Sequence, residues 1–176
     1  MQAGATTTAD DRQAFGELLQ QHRGIVFKVA GAYARSAEDR DDLAQEIAVQ
    51  LWRAWPNYDP ARRFSTWMYR IALNVAISFL RSDGHRRRHA VPLDEAIHDM
   101  ADDNSVDHET AAQLRMLHRF IATLEPLNRA LLLLYLDERS TREMAEVLGI
   151  SESNVTTKIS RLRQRIRDHV AAPGNE

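Results

Sequence analysis

The stretch that decides the fold runs from Ser140 to Leu162 and reads Ser-Thr-Arg-Glu-Met-Ala-Glu-Val-Leu-Gly-Ile-Ser-Glu-Ser-Asn-Val-Thr-Thr-Lys-Ile-Ser-Arg-Leu. Ser140 followed by Glu143 is the capping-box pattern that begins a helix. Gly149 can adopt the left-handed conformation that ends one, and Ser151 can cap the helix that follows. Two helices joined by such a tight corner predict a helix-turn-helix, which places its second helix in the major groove of DNA.

The second of these helices has an apolar side and a polar side. The apolar side, which should be buried, carries Val155, Ile159, Leu162 and Ile166. The polar side combines short hydroxyl and amide groups, which can approach base edges, with basic groups that meet phosphates or guanine. The candidate DNA-contacting residues are Ser153, Asn154, Thr156, Thr157, Lys158, Ser160 and Arg161. A solvated basic face on an ordinary helical hairpin is the alternative.

The rest of the chain is also patterned for helices, and no segment alternates apolar and polar residues as a strand would, so the predicted fold class is all-α. In the N-terminal half we predict three helices. The first runs from Asp10 to Ala34 with a potential break near Gly24, and the second is capped by Ser36 and stops before Pro56. The third is capped by Ser65, runs from Thr66 to about Arg81 and ends at Ser-Asp-Gly. In the C-terminal half we predict four, which are Asp107 to Leu124, Pro126 to Leu136, Thr141 to Leu148, and Glu152 to about Ala171.

Charge is distributed unevenly along a chain whose net charge is only −2. Between Ala90 and Gln113 there are seven acidic residues and no Lys or Arg, and the pattern there is polar and poorly periodic. Such a composition favours a flexible acidic linker, with one short helical turn conceivable at Leu93 to Ile97. The sequence therefore predicts two small helical domains, residues 10–83 and 108–171, joined by a linker at residues 84–107.

Arginines and aromatic residues are interleaved from Arg62 to Arg70. A surface of this kind can hold single-stranded nucleic acid, because arginines follow the backbone and pockets receive unstacked bases. The candidates are Arg62, Arg63, Phe64, Ser65, Trp67, Tyr69, Arg70 and, one helical turn on, Asn74. The alternative is that the aromatic residues are core residues at helical spacing, and for Trp67 and Ile71 this alternative is the preferred interpretation.

Several classes of protein are disfavoured by what the sequence lacks. There is no cysteine for a disulfide or a thiolate metal site, and three arginines separate His85 from His89, where they would repel a cation. We find no paired carboxylates, nucleophile motif or phosphate loop, so we expect no enzyme, no cofactor, no metal and no small-molecule substrate. The N-terminus has no signal-peptide pattern and the longest apolar run, Ala130 to Leu136, is too short for membrane insertion, so we expect a cytoplasmic protein.

Taken together, the two halves resemble a known family. The segments Asp41-Asp-Leu-Ala-Gln-Glu-Ile-Ala-Val-Gln-Leu-Trp-Arg-Ala-Trp55 and Phe64-Ser-Thr-Trp-Met-Tyr-Arg-Ile-Ala-Leu-Asn74 resemble region 2 of extracytoplasmic-function sigma factors, the smallest members of the sigma-70 superfamily. The C-terminal helices resemble region 4 of the same family. The resemblance covers roughly residues 10–83 and 108–170, which is most of the chain.

The resemblance implies roles that the residues alone do not. The helix with Asp41, Asp42, Gln45 and Glu46 would bind the clamp helices of the β′ subunit of core RNA polymerase, which suits an acidic and amide-rich face. The segment from Arg62 to Asn74 would recognise and open the −10 promoter element, and region 4 would bind the β flap and read the −35 element. An anti-sigma factor is a further implied partner. The alternative is a stand-alone helix-turn-helix regulator whose N-terminal half mediates dimerisation or sensing.

Overall fold

A computed structural model describes residues 8–86 and 108–171. Within these two ranges the chain forms α-helices and one 3-10 turn and no β-strand, which confirms the predicted all-α class. The helices are α1 (Ala9–Tyr33), α2 (Ala37–Ala54), α3 (Phe64–Arg86), α4 (His108–Thr123), α5 (Pro126–Leu136), α6 (Thr141–Leu148) and α7 (Glu152–Ala171), with the 3-10 turn at Trp55–Asn57. Most of the predicted acidic linker, including Leu93 to Ile97, lies outside the described residues.

The chain divides into two compact units, Met1–Phe120 and Ile121–Glu176, and the division falls within α4. None of the helices in the described ranges is long and apolar enough to cross a membrane.

The first unit is built on three helices, α1 to α3, that pack against one another. The apolar face of α2 is buried, since Leu43, Ile47 and Leu51 have no exposed surface. Tyr33 of α1 and Met68 of α3 are fully buried as well. This single apolar core leaves the opposite face of each helix in solvent, as expected for helices of a small bundle.

Helix α1 runs unbroken through Gly24, so the break considered from the sequence does not occur. It begins at a capping box in which the Thr8 hydroxyl accepts from the Asp11 N–H at 3.2 Å and the Asp11 carboxylate accepts from the Thr8 N–H at 2.9 Å. Gly24 is exposed, and a methyl group added there would meet no atom within 4 Å. A glycine in an exposed helix interior weakens the helix by about 1 kcal/mol without ending it.

Helix α3 differs from its prediction at both ends. It begins at Phe64 because the carbonyl of Arg63 accepts the N–H groups of Thr66 at 3.1 Å and Trp67 at 3.2 Å, so the predicted cap Ser65 lies inside the first turn. It also continues through the predicted Ser-Asp-Gly stop to Arg86. The Ser82 hydroxyl donates to the Phe79 carbonyl at 2.9 Å, so its hydrogen-bonding need is met within the helix. Residues 84–86 are consequently helix and not linker.

The second unit contains the end of α4 and helices α5 to α7, with α7 packed against both α5 and α6. Pro126 lies in the first turn of α5, as predicted. Arg129, one residue into the second turn, is 8% exposed, and its guanidinium donates to the carbonyls of Ala122 at 3.1 Å and Leu124 at 3.2 Å. These bonds satisfy carbonyls at the end of α4 that have no partner within their own helix.

The turn between α5 and α6 is tightened by a residue in the left-handed conformation, Glu138, with φ of 55°. The N–H of Glu138 donates to Tyr135 and that of Arg139 to Leu134, both at 3.0 Å, which is the Schellman arrangement. Arg139 pairs with Asp137 at 2.9 Å across the turn, where both side chains are half-buried. The short connection fixes where α6 begins relative to α5.

Candidate nucleic-acid interface

The helix-turn-helix has the geometry predicted from its caps. The Ser140 hydroxyl accepts from the Glu143 N–H at 3.2 Å, and the Glu143 carboxylate accepts from the Ser140 N–H at 3.0 Å. Gly149 ends α6 with φ of 66°, and the N–H groups of Gly149 and Ile150 both donate to the Ala145 carbonyl, at 2.9 and 3.2 Å. The capping box and the left-handed glycine are therefore confirmed.

The start of α7 is also confirmed, because the Ser151 hydroxyl accepts from the Asn154 N–H at 3.2 Å. Of the predicted apolar side, Val155 and Leu162 are buried and Ile159 and Ile166 are half-buried. The predicted DNA-contacting residues all lie on the remaining surface, where every one is exposed except the half-buried Lys158, namely Ser153, Asn154, Thr156, Thr157, Lys158, Ser160 and Arg161. The structure thus presents a polar and basic helix face while the apolar face packs inward.

Two threonines on this face use their hydroxyl hydrogens within the helix. The Thr156 hydroxyl donates to the Glu152 carbonyl and the Thr157 hydroxyl donates to the Ser153 carbonyl, each at 3.0 Å. What remains for a ligand is the oxygen lone pairs and the methyl groups. Those groups fit the amino groups of adenine and cytosine and the methyl group of thymine in the major groove.

A cavity of about 660 Å³ lies beside the helix-turn-helix, between one flank of α7 and the start of α6. Its rim carries Thr156, Ser160 and Arg163 from α7 together with Ser140 and Thr141 from α6. Thr141 and Arg163 were not among the candidates from the sequence. Arg163 could have been found by spacing, because it follows Ser160 by three positions and Thr156 by seven on the same side of the helix. A helix N-terminus next to an arginine and hydroxyl groups suits a phosphate.

In the first unit the arginine-bearing segment is a short loop, Tyr58–Arg63, between the 3-10 turn and α3. Its centre is a turn in which the Asp59 carbonyl accepts from the Arg62 N–H and the Asp59 carboxylate accepts from the Ala61 N–H, both at 2.9 Å. Pro60 stands at the second position of the turn, where its fixed φ is favourable. The Tyr58 hydroxyl donates to the Arg62 carbonyl at 2.8 Å and closes the loop from the other side.

An aromatic cluster lies under this loop and joins all three helices of the unit. Tyr58 stacks on Trp55 with ring centroids 5.3 Å apart and planes 17° apart, and it contacts Trp67 at 5.0 Å and Phe64 at 5.5 Å. Further contacts extend the cluster to Phe15 and His22 of α1 and Trp52 of α2. The aromatic contacts of Trp52, Trp55, Tyr58, Phe15 and His22 were not foreseen. Those of Phe15 and His22 join positions far apart in the sequence, and those of Tyr58 depend on the conformation of the loop.

The predicted residues of the aromatic-basic segment fall into an exposed and a buried group. Arg62, Arg63, Arg70 and Asn74 are exposed, and Trp67 and Ile71 are half-buried. Phe64 and Ser65 are 6% and 7% exposed, and Tyr69 has no exposed surface. The Tyr69 side chain belongs to the core of the bundle, because it lies on the same side of α3 as the buried Ala72 and Leu73. In this arrangement the Phe64, Ser65 and Tyr69 side chains support the surface and do not form it.

The acidic face of α2 is a separate exposed surface of the same unit. Asp41, Asp42, Gln45 and Glu46 are all exposed. Their contacts within the chain are weak: Arg40 lies 3.8 Å from Asp41, and Gln50 donates to Glu46 at 2.7 Å on the exposed surface. The face can therefore meet a basic partner without breaking a strong internal pair.

In the part of the chain that the structure describes, no three His, Asp or Glu side chains are grouped as the ligands of a metal ion would be. The side chains of His85 and His89 lie outside that part.

Comparison with known proteins identifies both units. The sigma-70 region 2 family matches residues 18–86 and the sigma-70 region 4 family matches residues 114–166, together more than half of the chain. The chain is similar to the ECF RNA polymerase sigma factor SigE of Mycolicibacterium smegmatis, with 29% identity over 91% of this chain and 63% of SigE. It is equally similar, at 29% identity over 90% of this chain, to the probable RNA polymerase sigma factor RfaY of Xanthomonas campestris pv. campestris, of which it spans 41%.

Among solved structures, the fold is similar to that of the sigma factor RpoE in complex with the anti-sigma factor NepR from Bartonella quintana. The TM-score is 0.69 at 18% identity, and the match covers 95% of this chain and all of RpoE. The order of the two matched regions agrees with that of the two units described above. The chain therefore belongs to the extracytoplasmic-function group of the sigma-70 family.

Proposed function

We propose that the protein is a sigma factor that directs RNA polymerase to specific promoters by binding the core enzyme and the −10 and −35 elements. The observation that carries this proposal is the presence, in one chain, of an acidic helix face beside an arginine-bearing loop and of a capped helix-turn-helix. A regulator that binds duplex DNA by itself needs only the last of these. Membership of the sigma-70 family adds independent support.

The first unit would serve core binding and promoter opening. The exposed carboxylates and amides of α2 complement a basic coiled coil such as the clamp helices of β′. The arginines of the loop Tyr58–Arg63 would follow the non-template strand, while the loop itself receives an unstacked base of the −10 element. Arg70 and Asn74 lie exposed on the same helix and would extend this surface.

The second unit would read the −35 element with the exposed face of α7 and contact the β flap. Arg161 is the candidate for a guanine, and the methyl groups and lone pairs of Thr156 and Thr157 are candidates for thymine and for base amino groups. Thr141 and Arg163 would contact phosphates on the flank. The net charge of −2 fits a factor whose affinity for DNA comes mostly from the polymerase.

Regulation and location follow from the same proposal. RpoE of Bartonella quintana was solved with an anti-sigma factor bound, and we propose a partner of that kind for this chain. We place the protein in the cytoplasm, where polymerase and promoter DNA are found, and we assign it no catalytic reaction of its own.

The direct test is run-off transcription with purified core polymerase on a genomic DNA library, followed by mapping of transcript starts. The proposal expects a promoter-specific transcript that requires both the protein and the core enzyme. A protein that binds its DNA site equally well without core, and directs no transcript with it, would instead be a stand-alone helix-turn-helix regulator.

The core-binding face has its own test. Gln45→Ala combined with Glu46→Ala should weaken core binding by on the order of 1–2 kcal/mol, because two polar contacts to a charged surface are lost. Fluorescence titration of labelled protein with core polymerase measures this. Gln13→Ala with Glu17→Ala is the matched control, since it removes the same two types of residue from the exposed surface of α1, where their side chains lie 3.0 Å apart. Equal affinities for the two double variants would reject the proposed docking face.

A further inference from the structure

We infer that Tyr58 is a positioning residue for promoter opening, because it holds the loop Tyr58–Arg63 in the conformation that meets the −10 strand. The inference rests on the proposed function and adds to it a residue that does not itself need to touch DNA. It is carried by two independent observations, the hydrogen bond that closes the loop and the ring contacts that anchor it.

The hydrogen bond joins the two ends of the loop. The Tyr58 hydroxyl donates to the Arg62 carbonyl at 2.8 Å, and the next residue, Arg63, gives its own carbonyl to the first turn of α3. The backbone on both sides of the two exposed arginines is therefore fixed. Asp59 adds two further bonds inside the loop, from its carboxylate to the Ala61 N–H and from its carbonyl to the Arg62 N–H.

The ring of Tyr58 is held at the same time by three neighbours, Trp55, Phe64 and Trp67, with centroid distances from 5.0 to 5.5 Å. The hydroxyl consequently cannot move away from the loop unless the ring breaks these contacts, one of them stacked, one T-shaped and one tilted. Burial, and then the negative charge of Asp59, raise the pKa of the Tyr58 phenol. A tyrosine hydroxyl is protonated at neutral pH in any case, and the raised pKa extends the range in which it can donate to higher pH.

A loop that is already ordered loses less conformational freedom when it binds a ligand. Because the loop carries Arg62 and Arg63, its order should matter for capture of the melted strand. It should not matter for core binding through α2 or for −35 recognition through α7. This separation of effects distinguishes a positioning role from general damage to the fold.

The test uses holoenzyme assembled from core polymerase and the full chain, with a fluorescent single-stranded oligonucleotide that carries the non-template −10 sequence of a promoter mapped with this factor. Tyr58→Phe keeps the ring and removes only the hydroxyl. It should weaken oligonucleotide binding about two- to tenfold, the range expected for one hydrogen bond. Hydrogen exchange of the amides in residues 59–63 should accelerate in the same variant. Core affinity and binding to a −35 duplex should stay at the wild-type level.

Two further variants complete the experiment. Asp59→Ala loosens the same loop without altering Tyr58 and should also weaken oligonucleotide binding. Tyr135→Phe, at an exposed tyrosine of the second unit, is the matched control and should bind as wild type does. Unchanged binding by Tyr58→Phe overturns the inference while the proposed function stands. A loss in Tyr58→Phe with none in Asp59→Ala also overturns it, because the hydroxyl would then contact DNA directly. A wild-type holoenzyme that captures no −10 strand contradicts the proposed function itself.

Discussion

The two candidate DNA-contacting segments of this protein are held in place by different means. In the second unit the helix-turn-helix is fixed by bonds between residues three to five positions apart, from Ser140 to Glu143, from Gly149 and Ile150 to Ala145, and from Ser151 to Asn154. In the first unit Tyr58 anchors the loop to the rings of Trp55, Phe64 and Trp67. Trp55 in turn contacts Phe15 of α1, which lies forty residues earlier in the chain. The first kind of site depends on local signals and the second on the whole bundle.

Because of this difference, we expect the largest loss of stability when a ring of the aromatic cluster that is distant in sequence is removed from the first unit. Phe15→Ala should lower the free energy of unfolding by about 3–5 kcal/mol, because a buried aromatic side chain in contact with Trp52 and Trp55 is lost. Urea unfolding followed by tryptophan fluorescence measures it, since all three tryptophans lie in the first unit.

Phe27 supplies the control, since it is a second phenylalanine on α1 but is 59% exposed. Phe27→Ala should change the free energy of unfolding by less than about 1 kcal/mol. If both variants lost the same stability, the aromatic cluster would not be what anchors the loop.

In the second unit a change on the exposed face of α7 should act on DNA binding and not on the fold. Arg161→Ala should weaken −35 binding by about 1–3 kcal/mol if the guanidinium reads a base, and by less if it meets a phosphate. Holoenzyme binding to −35 duplexes with single base changes measures both the loss and any relaxed specificity. Arg35→Ala removes an exposed arginine from the first unit and should leave −35 binding intact. If the Arg161 variant kept its affinity and base preference, Arg161 would not be a DNA-contacting residue.

The smallest expected effects concern two glycines, and they have opposite signs. Gly149→Ala should destabilise the second unit by about 1 kcal/mol, because φ of 66° is unfavourable for a residue with a Cβ. Gly24→Ala should stabilise α1 by about 0.5–1 kcal/mol, because the helix is exposed and uncrowded there. Thermal unfolding followed by circular dichroism compares the two. A gain in stability at Gly149 would contradict the left-handed helix end.

The same contrast explains which predictions the sequence could support. The start and end of α6 and the start of α7 were predicted to the residue, since each depends on a side chain or glycine that bonds to its own neighbourhood. The ends of α3 were predicted wrongly. Ser65 and the Ser-Asp-Gly segment have the chemistry of helix ends, but Arg63 already provides the first turn and Ser82 bonds within the helix. Both ends were therefore decided by bonds within one helical turn, and the type of residue at each end did not reveal which bonds would form.

The candidate residues show the same division. On α7 the polar face could be separated from the apolar face by angle alone, because a helix of known register fixes both. In the segment from Arg62 to Asn74 the sequence pattern mixes exposed and buried positions, and only the packing of α3 separates Arg62 from Tyr69. Tyr58 was not among the candidates from the sequence, because its bond to the Arg62 carbonyl and its contacts with three rings appear only once the loop has folded.

The sequence by itself determined the all-α class of the described residues, a helix-turn-helix with a polar and basic side in the C-terminal half, and the resemblance of the N-terminal half to sigma region 2. Periodicity and capping suffice for these conclusions because both are properties of neighbouring residues. Only the tertiary structure decided which aromatic residues of the first unit are core and how Tyr58 secures the arginine-bearing loop. The core depends on contacts between α1, α2 and α3, such as that of Phe15 with Trp52, which are far apart in the sequence. The bond of Tyr58 depends on a loop conformation that neither periodicity nor capping predicts.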